Sequence, residues 1–151
     1  MKSMDKIKNA QTAFDQGFNC CQAVLSALCE PLSLERDTAL RLATPFGGGL
    51  AERQLVCGAV NGALMAIGLA TGQVQHSDYA AKEHCRLIAN IFLSRFIKEH
   101  GSLMCRELLG HDFNTPEGRE AIRAQDLYRV RCQRYIADAV EWVEELLQKV
   151  P

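Results

Sequence analysis

The chain has 151 residues, 48 % hydrophobic and 23 % charged, with a formal net charge of −1. That length predicts a single domain over 1–151 with a core of its own. The near-neutral balance provides no field to draw nucleic acid or a membrane surface. The first ten residues interleave charge with apolar side chains and lack the apolar run of a signal peptide. A cytoplasmic location is therefore expected, where thiols are kept reduced.

Helical spacing runs through almost the whole sequence, and strand alternation is nearly absent. Residues 3–16 predict an amphipathic helix with Ile7, Ala10, Ala13 and Phe14 on one face, stopped by Gly17. Asn19 is placed to cap a helix from Cys20 to about Cys29, closed by Pro31. Ser33 with Arg36 and Asp37 opens a third helix, which Pro45 ends near Phe46. Gly47, Gly48 and Gly49 form a loop, and an apolar helix follows from Cys57 to about Ala70, ended by Gly72.

That helix lies within an uncharged stretch, 54–75. Its apolar run falls short of the roughly 20 residues that span a bilayer, and it carries Asn61, so a buried core helix is expected and no membrane span. Residues 77–99 form a long helix with Ala81, Cys85, Ile88, Phe92 and Phe96 inward, Ser77 as cap and Gly101 as stop. Ser102 starts a short helix carrying Cys105, stopped by Gly110. Thr115 and Pro116 open another, through Ala124. The last helix is expected from about Asp126 to Lys149, with Tyr135, Ala139, Trp142, Leu146 and Val150 as its inward stripe. The predicted fold is an all-α, single-domain bundle of seven or eight helices.

Seven cysteines stand at positions 20, 21, 29, 57, 85, 105 and 132, with no CxxC pair. The odd number argues against a fully paired disulfide framework, and the dispersion argues against a local zinc knuckle. The local pattern above background is Cys57-Gly58-Ala59-Val60-Asn61-Gly62. It follows Gly17-Phe18-Asn19-Cys20 and the glycine loop after Phe46, and precedes Gly101–Gly110, with Cys105, and then Cys132.

In the order of these elements, from about Phe14 to Ala139, the chain resembles the C_GCAxxG_C_C family, named for a redox role of its cysteines. The central motif here reads Cys-Gly-Ala where the family label reads Gly-Cys-Ala. The resemblance points to Cys20, Cys57, Cys105 and Cys132, and leaves Cys21, Cys29 and Cys85 without counterparts.

The residues themselves divide the same way. A helix N-terminus stabilises a thiolate through its unpaired N–H groups and the macrodipole. Cys20, Cys57 and Cys105 all fall in predicted first turns, and Cys132 lies among Arg129, Arg131 and Arg134. Cys21, Cys29 and Cys85 lack such help and read as small buried hydrophobes. Gly47, Gly48 and Gly49 serve as a tight turn or as a nest of N–H groups for an anion or cofactor. Gly58, Gly62 and Gly68 suit close helix approach, and Gly58 also leaves room for a second sulfur or a cofactor beside Cys57.

His76, His84, His100 and His111 show no metal-ligand spacing and read as surface or cap residues. No Ser-His-Asp or paired-carboxylate arrangement can be assembled.

Three functions remain open. The four cysteines can cycle between dithiol and disulfide with an unidentified redox partner protein, passing through a mixed disulfide. They can instead hold zinc or an iron–sulfur cluster, since four thiolates are the ligand count of both. Or the cysteines are inert in a helical interaction module, with the apolar helix as the core of a homodimer. The pairing is open among three connectivities.

Overall fold

The computed structural model describes residues 3–149, which form eight α-helices and no strand. They are α1 (Ser3–Asp15), α2 (Cys20–Leu28), α3 (Arg36–Ala43), α4 (Gly58–Thr71), α5 (Tyr79–His100), α6 (Cys105–Leu109), α7 (Pro116–Ala124) and α8 (Gln133–Lys149). The all-α bundle expected from the periodicity is the fold. Among the described residues no helix is long and apolar enough to cross a membrane.

At the centre α2 packs against α1, α3 and α4, while α8 covers α1 and α4. Helix α4, the most apolar segment, buries Gly58, Ala59, Val60, Gly62, Ala63, Ala66 and Ile67 within its own chain. Leu69 of α4 is exposed, as are Leu87, Ile91 and Ile97 on the outer face of α5. Ile88, Phe92 and Phe96 form the inner stripe of α5, and the two phenylalanines meet Trp142 of α8 edge-on. Tyr135, Ala139 and Trp142 are buried along α8 as the spacing predicts, and Leu146 packs against the same core. Val150 lies outside the described residues.

A second, smaller apolar cluster joins Cys105, Leu109, Ile122 and Leu127, with Phe113 and Cys132 against it. It holds α6, α7 and the turn into α8 together. The seam between this satellite and the main core is where the cysteines gather.

Helix boundaries follow the caps. Asn19 accepts from the Gln22 N–H at 2.8 Å while the Gln22 side chain accepts from the Asn19 N–H at 2.9 Å, a reciprocal capping box. Thr115 caps α7 through the Gly118 N–H, and Gly101 and Gly110 end α5 and α6 at positive φ.

Four expectations need correction. Helix α3 is capped by Glu35, whose carboxylate accepts from the N–H groups of Asp37 and Thr38; Ser33 stands before it in the left-handed region. Asp78, not Ser77, caps α5. Ser102 accepts from the Met104 N–H, and α6 itself begins at Cys105. The last helix is not continuous from Asp126: that residue has φ +53°, and one turn of π-helix, Tyr128–Cys132, intervenes before α8. Periodicity misses such a turn because it adds one residue without changing which kinds of residue face inward.

Candidate functional site

All seven cysteines are free thiols. Cys20 is the first residue of α2, directly after its Asn19 cap. Cys57 occupies the N-cap position of α4. Helices α2 and α4 cross closely here because the motif glycines allow it. A Cβ on Gly62 would stand 3.0 Å from the Cys21 carbonyl oxygen and from Val24 Cβ. A Cβ on Gly58 would stand 2.3 Å from Cys20 Sγ. The motif thus reads physically: Cys57 supplies a thiol, Gly58 makes room for the sulfur of Cys20, and Gly62 seats α2 one turn later. Gly68 is different, with nothing within 4 Å, so close approach does not account for it.

The two thiols form a hydrogen-bonded pair with opposite ionisation. Cys20 is lowered from 9.0 to about 7, chiefly because the Cys57 thiol donates to its sulfur. Burial opposes this, and the N–H groups of Gly48, Cys21 and Cys20 itself assist. Cys57 is held well above the usual thiol range. Its proton is engaged by Cys20, it is buried, and it faces the Cys20 charge; the N–H groups of Val60 and Ala59 only partly offset these effects. The arrangement favours ionisation of Cys20 over Cys57.

The glycine loop serves the Cys20 sulfur. A Cβ on Gly47 would collide with the Asn19 side chain at 2.4 Å, and one on Gly49 would stand 2.8 Å from Cys105 Cβ. Gly48 directs its N–H at Cys20. Gly48, Gly49, Leu50, Ala51 and Glu52 run in succession at φ between +49° and +71°. Each non-glycine residue in that region costs about 1 kcal/mol or more. The loop is held by backbone bonds from Glu52 to Gly47, Gln54 to Gly48 and Leu55 to Gly49, at 2.8–3.0 Å.

Gln54, also at positive φ and 1 % exposed, is a hub that the sequence gives little reason to single out. Its amide donates to the His111 carbonyl at 2.9 Å and accepts from Arg106 Nε and the Phe113 N–H, each at 3.1 Å. A lone glutamine opening an uncharged stretch was the only signal.

Cys105 is brought in by an antiparallel bridge between Val56 and Met104. The Cys57 N–H donates to the Leu103 carbonyl at 2.8 Å, and the Cys105 N–H to the Leu55 carbonyl at 2.6 Å. Burial and the Cys20 charge push the Cys105 thiol up to about 11, against help from Gln54 and Arg106. Cys132 ends the π turn and is raised by burial, by Cys20 and by Cys105; Arg131 lowers it only slightly. Arg131 chiefly caps α6, donating to the carbonyls of Leu108 and Leu109. Arg129 pairs with Asp126, and Arg134 with Glu99. Of the first-turn cysteines, only Cys20 is lowered; a helix N-terminus alone does not outweigh burial at the other two.

Cys20, Cys57, Cys105 and Cys132 line one apolar void of about 20 Å³, closed by Ala59, Leu108, Leu109 and Tyr135. Cys21, Cys29 and Cys85 do not line it. The Cys21 sulfur lies 3.9 Å from that of Met65, and burial raises Cys21 to about 12 and raises Cys29 as well.

The void has room for little more than one water. Among the described residues no group of three or more histidine, cysteine or acidic side chains is disposed to hold a metal ion. Nor is His100 the surface residue expected. Its side chain is 4 % exposed, stacks on Trp142 at 5.7 Å and pairs with Asp138 at 2.8 Å.

A larger cavity of about 810 Å³ opens over the other side of the site. Cys20, Cys105 and Cys132 line it, and Cys57 does not. A family model described as "Putative redox-active protein (C_GCAxxG_C_C)" matches residues 18–146 of the chain. No curated protein and no solved structure matches.

Proposed function

Because the chain belongs to the C_GCAxxG_C_C family, we propose that it is a thiol–disulfide redox protein in which Cys20 attacks and Cys57 resolves. The observation that carries this reading is the seating of the Cys20 sulfur in the gap that Gly58 leaves beside Cys57, where the Cys57 thiol lowers Cys20 to about 7 and is itself raised. A thiol whose pKa lies near ambient pH balances thiolate fraction against nucleophilicity.

The two cavities support the direction of the exchange. Cys20 lines both, whereas Cys57 lines only the inner void. A substrate disulfide reaches the Cys20 sulfur from the open side and is left as a mixed disulfide, releasing one thiolate. Cys57 then attacks the same Cys20 sulfur from the void, losing its proton to the second leaving thiolate. The products are the Cys20–Cys57 disulfide, one thiolate and one thiol. An external dithiol, carried by a redox partner in a reducing compartment such as the cytoplasm, restores the pair.

Cys105 and Cys132 remain protonated through neutral pH beside the same void. They are a second dithiol, able to take up the disulfide by exchange with Cys20.

The test is one oxidising equivalent added to the fully reduced protein without oxygen, followed by peptide mapping. A Cys20–Cys57 link, with Cys20 alkylated fastest by iodoacetamide at pH 7, supports the reading. Equal slow alkylation of Cys20 and Cys29 overturns it and leaves an inert helical module.

A further inference from the structure

The cavity above Cys20 has the size of a small-molecule site, which spans about 300–1,000 Å³. Its wall is assembled from the end of α1, the lead into α2, the glycine loop, the 113–114 segment, α7 and the π turn. Cys20 lines both this cavity and the void within, so its sulfur is approached through a recess. A disulfide on the convex surface of a folded protein meets the rim before it meets the sulfur. A molecule that fits inside the recess does not.

The wall also selects by chemistry. Four of the chain's ten aromatic residues line it: Phe14, Phe18, Phe113 and Tyr128. Phe14 and Phe18 pack on the main core and Phe113 on the satellite cluster, so these three rings are braced. Tyr128 is 46 % exposed, the most open of the four rings.

The charges do not favour an anion. Asp15, Glu52 and Asp126 face only Arg119 and Arg129. Arg129 is paired with Asp126, and Arg119 is engaged by the Phe113 carbonyl at 3.2 Å. With three carboxylates against two guanidinium groups, the wall is net negative toward a disulfide bearing several carboxylates.

We propose that the substrate of this site is a low-molecular-weight disulfide, uncharged and carrying flat or aromatic groups, bound between the aromatic rings with one sulfur against Cys20. This deepens the thiol-exchange reading and rests on it. The bond formed first joins Cys20 Sγ to one substrate sulfur, and the substrate S–S bond breaks. The second exchange, by Cys57, releases the other half, so two electrons pass from the dithiol to the substrate.

Single-turnover oxidation of the reduced protein tests this with four probes. They are 4,4′-dithiodipyridine (neutral, aromatic), bis(2-hydroxyethyl) disulfide (neutral, not aromatic), 5,5′-dithiobis(2-nitrobenzoate) (aromatic, dianionic) and insulin (a protein disulfide). Each rate is divided by that of a free small thiol with the same probe, which removes differences in leaving group. The proposal requires saturation and the largest ratio with 4,4′-dithiodipyridine.

Tyr128→Ala should raise the half-saturating concentration of that probe about threefold to tenfold, the range of an aromatic contact. The loss with bis(2-hydroxyethyl) disulfide, which offers no ring for Tyr128 to meet, should be smaller than with 4,4′-dithiodipyridine. Phe113→Leu is the second variant, keeping an apolar residue against the satellite cluster, and should act in the same direction. Equal ratios for all four probes without saturation overturn the pocket proposal while leaving the Cys20–Cys57 exchange standing. A ratio highest for insulin or for the dianion also overturns it. Failure of every probe to oxidise Cys20 overturns both.

Discussion

The N-terminal ends of α2 and α4 are alike in almost every local respect. Each presents a cysteine to the unpaired N–H groups of a first turn, and each sulfur is aided by backbone donors. Yet one thiol is lowered to about 7 and the other is driven far up. The helix end makes both sulfurs eligible; the hydrogen bond between them decides which one ionises. A buried dithiol cannot carry two negative charges side by side, so the first proton leaves easily and the second is retained. The α6 and π-turn side of the void teaches the complement. Cys105 begins a helix too, but the groups that favour its ionisation, Gln54 and Arg106, do not outweigh burial and the Cys20 charge.

The sharpest way to break this comparison is to remove the proton that Cys57 lends. In Cys57→Ala the Cys20 pKa should climb from about 7 toward the ordinary 9.0. At pH 7 that lowers the thiolate fraction about fiftyfold; the greater nucleophilicity of the more basic thiolate offsets part of this, so iodoacetamide labelling of Cys20 should slow by about fivefold to tenfold, with the thiolate absorbance near 240 nm as a second reading. Cys57→Ser, which keeps a hydroxyl donor, should fall between. If Cys57→Ala leaves the midpoint near 7, the helix end and not the partner is responsible.

The same pair governs stability against pH. The depressed Cys20 thiol stabilises the fold fully above its unfolded value and loses that contribution as pH falls through about 7. The raised thiols, Cys57, Cys21 and Cys105, favour the protonated folded state and cost stability once pH passes about 9. Stability of the reduced protein in denaturant should therefore rise from pH 7 to about 8, by somewhat under about 1 kcal/mol, and fall beyond about 9 as the raised thiols outweigh Cys20. A flat profile would mean that Cys20 is not depressed. In Cys57→Ala the rise should nearly vanish.

Two glycines of α4 sharpen the comparison in space. Gly58→Ala drives a methyl group toward Cys20 Sγ, 2.3 Å away, with the Cys21 nitrogen and the Phe46 oxygen behind it. The expected cost is about 1–3 kcal/mol of stability, together with loss of the low-pH reactivity of Cys20. Gly68→Ala, in the same helix with open space around it, should instead be neutral or add up to about 1 kcal/mol. Denaturant unfolding of the pair of variants separates a sulfur contact from ordinary helix propensity.

The reach of the sequence follows from what kind of interaction each feature uses. Helix order, the Asn19 cap, the buried α4 and the Gly58 vacancy rest on local rules, and all were legible. The opposite fates of Cys20 and Cys57 depend on a contact between residues far apart in sequence, which no first-turn rule can contain. Gln54 was missed for a related reason: its three partners lie in the segment 106–113, so its role exists only after the satellite cluster has folded against the glycine loop. The left-handed run escaped because Leu50, Ala51 and Glu52 carry no local mark of positive φ. Their strain is sustained by tertiary bonds such as that from Asn114 to the Glu52 carbonyl at 2.9 Å.

The smallest expected effect tests whether the void holds one dithiol or a single four-thiol unit. The influences on Cys20 come from Cys57 and from the N–H groups of Gly48, Cys21 and itself; neither Cys105 nor Cys132 is among them. The influence runs the other way, since the Cys20 charge raises both. Cys105→Ser and Cys132→Ser should therefore leave the Cys20 midpoint near 7 and its labelling rate at pH 7 within about a factor of two of the parent. Cys20→Ser, by contrast, removes the charge that holds the other two up, so Cys105 should titrate below about 11 in that variant. Measuring each midpoint by residue-resolved alkylation across pH decides the matter. A Cys20 midpoint that moves with Cys105→Ser or Cys132→Ser would mean that all four sulfurs share one proton network, and the division into an attacking pair and a second dithiol would fail.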